Sequence, residues 1–245
     1  MYKKLDLHIH TPHSLCYVDH MMPEARRHTP LEDIIDAALA CGLDAIAITD
    51  HNTVAAIEEL RTIGTRDGLC ILPGCEVSAR GGHVLGIFDP DTPLEVLHHL
   101  LGLLGLTEEH QGQGFHETSL WLDEVSRHIE GHGGLAIAAH IDRRPKGFIA
   151  SELPMKDKRR IYTCGHISAL EITLPTDRER WQQGLVPHFP EGYACCQGSD
   201  AHEPREVGRR PIYCDIPTID VAGLRLAFGE CTERVRFPED LAAET

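Results

Sequence analysis

No stretch of this 245-residue sequence approaches the roughly 18 consecutive apolar residues that a bilayer-crossing helix needs, so a membrane protein is excluded. Aromatic residues are scarce at 5%, but a hydrophobic content of 42% is enough for a real core. The chain reads as a single domain over 1–245, with 235–245 as a frayed tail. The opening stretch MYKKLDLHIH lacks the apolar segment of a secretory signal, which points to a reducing cytoplasm and against disulfides among the nine cysteines. No CxxC pair occurs, so a zinc ribbon is disfavoured. A glycine-rich phosphate loop is missing too, because GGHVLG has neither nucleotide-binding spacing. Lysine and arginine number 23 against 38 acidic residues, for a net charge of −15. That balance argues against a broad basic face gripping duplex DNA. It leaves room for a nucleotide or a nucleic-acid end entering a pocket where divalent ions supply the positive charge.

Histidine is abundant, at 17 residues, and it is the commonest metal ligand. In residues 4–10 Leu5, Leu7 and Ile9 alternate with Asp6, His8 and His10, the pattern of a strand. Thr29, Pro30 and Glu32 look like a capped helix start, followed by Ile34, Ile35, Ala38 and Leu39 at helical spacing and by Gly42 as a stop. Further helices are expected at 53–66, 92–104, 119–130 (capped by Thr118) and 219–229 (capped by Thr218). Strands are expected at 44–49, 70–77, 82–88, 134–139, 168–173 and 193–198, and a mobile loop at 106–116. This alternation predicts an α/β fold with a mostly parallel sheet.

Five segments place ligand-type residues at strand ends, where α/β proteins build their sites. His8 and His10, two apart on a strand, point the same way, with Asp6 as an outer acceptor. Asp50 and His51 directly follow an apolar run; Glu76 and His83 lie on strands expected to pair. A glutamate inside such an apolar strand needs a partner. His140 ends another apolar strand, and Asp200 and His202 repeat the two-residue spacing of the first pair. Taken singly, each segment also fits a solvated strand face or a helix cap. By contrast His98, His99, His128 and His132 read as surface or packing histidines, and Cys195 and Cys196 as buried thiols.

The motifs DLHIHT, ITDHNT, PGCEVS with the following HVLG, AAH and GSDAH resemble, in order and approximate spacing, those of the polymerase and histidinol phosphatase (PHP) superfamily. The resemblance runs from Leu5 to about Ile212. It implies a distorted (β/α)7 barrel, two or three divalent ions (Zn, Mn or Fe) and phosphoesterase activity. By position, it implies one ion on His8, His10, Glu76 and Asp200, and a second on Glu76, His83 and His140. A third would take His51 and His202 with one ligand from the loop after His10. Many relatives carry Asp or His five or six residues after that histidine, where this chain has Leu15 and Cys16. Cys16, His13, Asp19 and His20 all remain open for the slot.

Clustered cations lower the pKa of water and clamp phosphoryl oxygens, so hydrolysis needs no side-chain nucleophile. Glu76, Asp200 and His202 are the expected catalytic residues, with His202 or His13 protonating the leaving oxygen. Arg143, ahead of Arg144 and Lys146, is the first choice for holding substrate phosphate. The expected substrate is a phosphorylated small molecule, a nucleotide or a nucleic-acid end. A looser resemblance of the segment from Ala138 through Arg210 to PHP modules found with ATPases implies a nuclease-like role beside an ATPase partner. Two alternatives stand: a non-catalytic, metal-stabilised regulatory domain, and an amidohydrolase-like enzyme, for which no strand-end lysine suits a metal bridge.

Overall fold

The computed structural model describes residues 1–17, 29–144 and 147–242. Strand β1 (Tyr2–Ile9) has Leu5 through Ile9 buried on both faces. Its polar face is therefore not solvated: Asp6, His8 and His10 are fully buried, on the inner side of a barrel. The remaining strands are β2 (Ala45–Ile48), β3 (Cys70–Ala79), β4 (Gly82–Ile87), β5 (Leu135–Ala138), β6 (Ala169–Glu171), β7 (Cys195–Cys196), β8 (Ile212–Asp215) and β9 (Val235–Arg236).

They form one sheet in the order β7-β6-β5-β4-β3-β2-β1-β8-β9. After β7 the chain returns to β1 through a parallel bridge between Ala201 and Ile9, with His10 N donating to Ala201 O at 3.0 Å. Strands β1 to β7 thus close into a distorted (β/α)7 barrel, while β8 and β9 extend antiparallel from the first half of β1. The distortion lies in β4, which runs antiparallel to both β3 and β5 after a hairpin at Arg80 and Gly81. That reversal has a functional consequence. It places the start of β4 at the rim where β3 ends, so His83 pairs opposite Ser78.

The helices are α1 (Glu32–Ala40), α2 (Ile57–Asp67), α3 (Leu94–Leu103), α4 (Leu122–Gly131), α5 (Met155–Tyr162), α6 (Arg178–Gln182), α7 (Val221–Gly229), α8 (Cys231–Arg234) and α9 (Pro238–Ala242). Several starts differ from the sequence expectation. Helix α1 has no side-chain cap; bonds from Asp33 N to Pro30 O and Ile34 N to Leu31 O close its first turn instead of Thr29. Asp220, not Thr218, caps α7, its Oδ1 accepting from Gly223 N at 2.6 Å. Helix α4 begins after Trp121, whose N donates to Glu124 Oε2, while Thr118 turns its hydroxyl to Leu104 O. Helix α2 begins at Ile57 because Asn52 adopts a left-handed φ of 52° and Thr53 Oγ1 accepts from Ala55 N.

Two further expectations are corrected. The segment 106–116 is not a free loop: Gly112 N donates to His51 O, and Asn52 Nδ2 donates to the carbonyls of Gln113 and His116. The tail is ordered through Ala242, since Arg178 holds Asp240 with two hydrogen bonds at 2.5 and 2.8 Å and Phe237 is buried. All nine cysteines are free, with Cys195 and Cys196 buried in β7. Among the described residues no helix is long and apolar enough to cross a membrane.

Candidate metal centre

Seven segments bring polar residues to one rim of the barrel, and Glu76 of β3 stands at their middle, fully buried. Its Oε1 lies 2.7 Å from His83 Nδ1 and 2.9 Å from His140 Nε2. Its Oε2 lies 3.3 Å from the Nε2 atoms of His8 and His10 and 3.1 Å from His51 Nδ1. Asp200 Oδ1 closes the first side, 3.3 Å from His8 Nε2 and 3.1 Å from His10 Nε2. The two oxygens of Glu76 thus face two different histidine groups, the disposition of a bridging carboxylate.

Hydrogen bonds on the far side of the rings fix which nitrogen faces the centre. His8 Nδ1 sits 3.0 Å from both oxygens of Glu171, which as a carboxylate only accepts, so Nδ1–H donates and Nε2 is the nitrogen turned toward the centre. Ser14 must donate to Asp50 Oδ1 at 2.6 Å, so it accepts from His10 Nδ1–H at 3.0 Å and again leaves Nε2 toward the centre. His202 Nδ1 donates to Asp200 O at 2.8 Å, directing its Nε2 to Cys16 Sγ at 3.1 Å. Among the described residues the buried Nδ1 of His140 has no hydrogen-bond partner, and that of His51 has none beyond its 3.1 Å approach to Glu76 Oε2. A buried nitrogen without a partner costs on the order of 1–3 kcal/mol.

Donor atoms of His8, His10, Glu76 and Asp200 lie within 4.8 Å of one another, as do those of His51, Glu76 and His83, and those of His10, Cys16, His51 and His202. Imidazole, carboxylate and thiol in such buried groups are the donor set of borderline divalent ions, so the residues fit a metal centre. The charge field agrees. Burial opposes protonation of His8, yet Glu171, Asp200 and Glu76 hold it well above the ordinary histidine range. Against the same burial, Asp200 and Glu76 raise His10 to about 9. Despite their own burial, the carboxyls of Glu76 and Asp200 are held well below the usual range by the histidines around them. Burial, with Glu76, Asp200 and Asp50 nearby, pushes the Cys16 thiol up to about 12. A field that retains protons on histidine also attracts cations.

Backbone strain concentrates here. His140 (φ 29°), Asp200 (φ 49°) and Asn52 (φ 52°) occupy left-handed conformations, each costing on the order of 1–3 kcal/mol. Gly198 is required by space, since a Cβ there would meet Glu171 Oε1 at 2.4 Å and His8 Cβ at 2.6 Å. Gly114 is likewise seated against the His51 ring, where a Cβ would come within 2.4 Å of Nε2.

All nine expected ligands, His8, His10, Cys16, His51, Glu76, His83, His140, Asp200 and His202, come together at this rim. Arg143 reaches it as well, its guanidinium 2.5 Å from Asp200 Oδ2. His13 is exposed and joins none of the clusters; Asp19, His20 and Lys146 lie outside the described residues. Asp6 is turned away, accepting from Ser199 N and Gly208 N and so tying β1 to the segment after β7. Asp50 is spent on Thr11 and Ser14. Glu171 is the residue that sequence reasoning missed. It sits inside the apolar run Ala169 to Ile172, the same signal that singled out Glu76. Beside His83 an open groove of about 480 Å³ is lined by Arg80, Gly114, Phe115, Glu117 and Glu152.

A family model described as PHP domain matches residues 6–144, the stretch that carries most of β1, β2 to β5 and every one of the expected ligands above except Asp200 and His202. The chain belongs to the PHP domain family. It is 30% identical over 145 residues to an uncharacterised protein of Methanocaldococcus jannaschii, covering 56% of this chain and 67% of that one. Over 98 residues it is 33% identical to a 5′-3′ exoribonuclease of Haemophilus influenzae, covering 38% of this chain and 32% of the relative. Its fold is similar to the lesion-specific endonuclease Q of Pyrococcus furiosus, with a TM-score of 0.67 at 18% identity over 97% of this PHP chain. The match spans 58% of that endonuclease, so the PHP chain corresponds to little more than half of it. An endonuclease Q bound to a 27-mer duplex with an abasic lesion is similar to the same degree, with a TM-score of 0.67 at 19% identity over 94% of this chain and 57% of that one.

Proposed function

We propose that this PHP chain is a metal-dependent phosphoesterase that hydrolyses the phosphate ester of a nucleotide or a nucleic-acid end. The observation that carries the reading is Glu76, whose two oxygens face separate histidine groups. His8, His10, Glu76 and Asp200 would hold one cation, and Glu76 with His83 and His140 a second. When bound, such ions supply water of lowered pKa and neutralise charge on the phosphoryl oxygens.

The protein's own groups do the rest. Glu171 and Ser14 orient the His8 and His10 rings. Arg143, about a third exposed and already paired with Asp200, has further guanidinium N–H groups to offer a phosphate oxygen. His202 is better suited to ligation than to protonating a leaving group, since Nδ1 is engaged by Asp200 O and Nε2 faces Cys16. The exoribonuclease and endonuclease names among the relatives favour a nucleic-acid substrate. The net charge of −15 and the carboxylates of Glu117 and Glu152 beside the centre favour a short end over a long duplex.

The test is hydrolysis of an aryl phosphate monoester, the matching diester and a 5′-phosphorylated oligonucleotide, each with manganese and with chelator. Chelator-sensitive turnover that Glu76→Gln abolishes is the expected result. Turnover that is insensitive to chelator, or unchanged in folded Glu76→Gln protein, would overturn the reading.

A further inference from the structure

Phe115 is held out into solvent beside the metal centre. It is 74% exposed, more than any other large apolar side chain among the described residues except Met1, in a chain with only six phenylalanines. Its backbone is nevertheless fixed. Asn52 Nδ2 donates to Gln113 O at 3.0 Å and to His116 O at 3.2 Å, and Ser78 Oγ donates to Gly114 O at 3.0 Å. Gly114 itself lies so close to the His51 ring that no Cβ fits there. One short segment thus packs against a ring of the metal centre and presents an aromatic side chain to the groove of about 480 Å³ beside His83. Arg80 lines that groove too, and its guanidinium is held over Trp121, 4.2 Å from the ring centroid. Glu117 and Glu152, both exposed, bring carboxylates to the same groove.

We propose that this groove is a nucleoside subsite, in which Phe115 stacks on the base of the nucleotide whose phosphate ester lies at the metal centre. It rests on the reading of that centre as a nucleotide phosphoesterase. The volume falls within the range of about 300–1,000 Å³ typical of small-ligand sites. The walls specify the chemistry of the occupant. An aromatic ring and a guanidinium plane suit a flat π-face. Carboxylates only accept hydrogen bonds, so Glu117 and Glu152 require donors such as ribose hydroxyls or base amino groups. The same two carboxylates repel a second phosphate, so the groove takes the nucleoside of one terminal nucleotide and not a run of backbone. A sugar phosphate offers the hydroxyls without the flat face, and an acyl chain offers neither. Base–aromatic stacking is worth about 5- to 150-fold in affinity. The groove is then the element that selects nucleotides over other phosphate esters, and Phe115 is its specificity-determining residue.

The probes are adenosine 3′- and 5′-phosphonates and the matching ribose phosphonates that lack the base, a methylene replacing the ester oxygen so that none of them turns over. Each is titrated into manganese-loaded full-length protein by isothermal titration calorimetry. The tighter adenosine probe should bind at least about fivefold more strongly than its ribose counterpart. Phe115→Ala should erase that gap, and Phe115→Trp should retain it, with circular dichroism confirming the fold of both variants. A gap of less than fivefold in the unmutated protein, or one that survives in folded Phe115→Ala, would overturn the proposal. The ribose probes separate the two failures. If they bind and adenosine binds no more tightly, the nucleoside subsite falls alone; if no phosphonate binds the manganese-loaded protein, the phosphoesterase reading falls with it.

Discussion

Glu171→Gln is the substitution whose effect follows most closely from the geometry. The glutamate is fully engaged: both its oxygens lie 3.0 Å from His8 Nδ1, and Oε2 also accepts from His140 N at 2.8 Å. Glutamine keeps the shape but removes the charge and turns one acceptor into a donor, which faces either the His8 N–H or the His140 N–H. Histidine bound to a carboxylate is more basic and held in one tautomer, and loss of such a partner costs roughly 10–100-fold in metal affinity. That is about 1.4–2.7 kcal/mol. The assay is competition for manganese or zinc against a chelator of known affinity, with circular dichroism confirming the fold. An affinity within twofold of the unmutated protein would refute the claim that Glu171 orients His8. A loss confined to turnover, with affinity intact, would refute it as well.

Gly198→Ala should abolish metal binding, measured by the same competition, because its methyl group would press on Glu171 Oε1 and His8 Cβ together. Asp220→Ala removes the α7 cap and should destabilise the protein by about 1 kcal/mol. For a chain of this size that lowers Tm by about 2–4 °C in a thermal melt. Burial holds the phenols of Tyr162 and Tyr193 above their ordinary value near 10, so the folded state favours their neutral forms. Stability from these groups is complete below about pH 10 and is lost as pH rises beyond it, so Tm should fall between about pH 10 and 12. A Tm that is flat across that window would contradict the assignment.

The candidate ligands were legible because strand geometry and desolvation leave a mark on sequence. Two histidines two apart on an alternating strand share a face, and a glutamate inside an apolar strand such as β3 demands partners; both signals lead to His8, His10 and Glu76. Glu171 carried the second signal on a strand of only three residues, too short to announce itself by alternation. Asp6 and Asp50 share those segments without joining the metal-ligand groups. Their carboxylates serve backbone and hydroxyl donors brought in from residues distant in sequence, Ser199 and Gly208 for one, Thr11 and Ser14 for the other. Helix starts were displaced where local bonds replaced the expected caps, as at Leu31 and Asp220. Barrel closure was legible only through the family resemblance, because it rests on the backbone of Ala201 against His8 and His10, which no side-chain pattern records.

That Glu76 bridges two cations is tested most directly by counting metal per chain by inductively coupled plasma mass spectrometry, in unmutated protein and in Glu76→Gln, after loading and desalting. At least two ions are expected in the unmutated protein and a loss of more than one in the variant, because both carboxylate-linked sites share that side chain. A metal-free unmutated protein, or a variant that keeps its full complement while folded, would contradict the bridge.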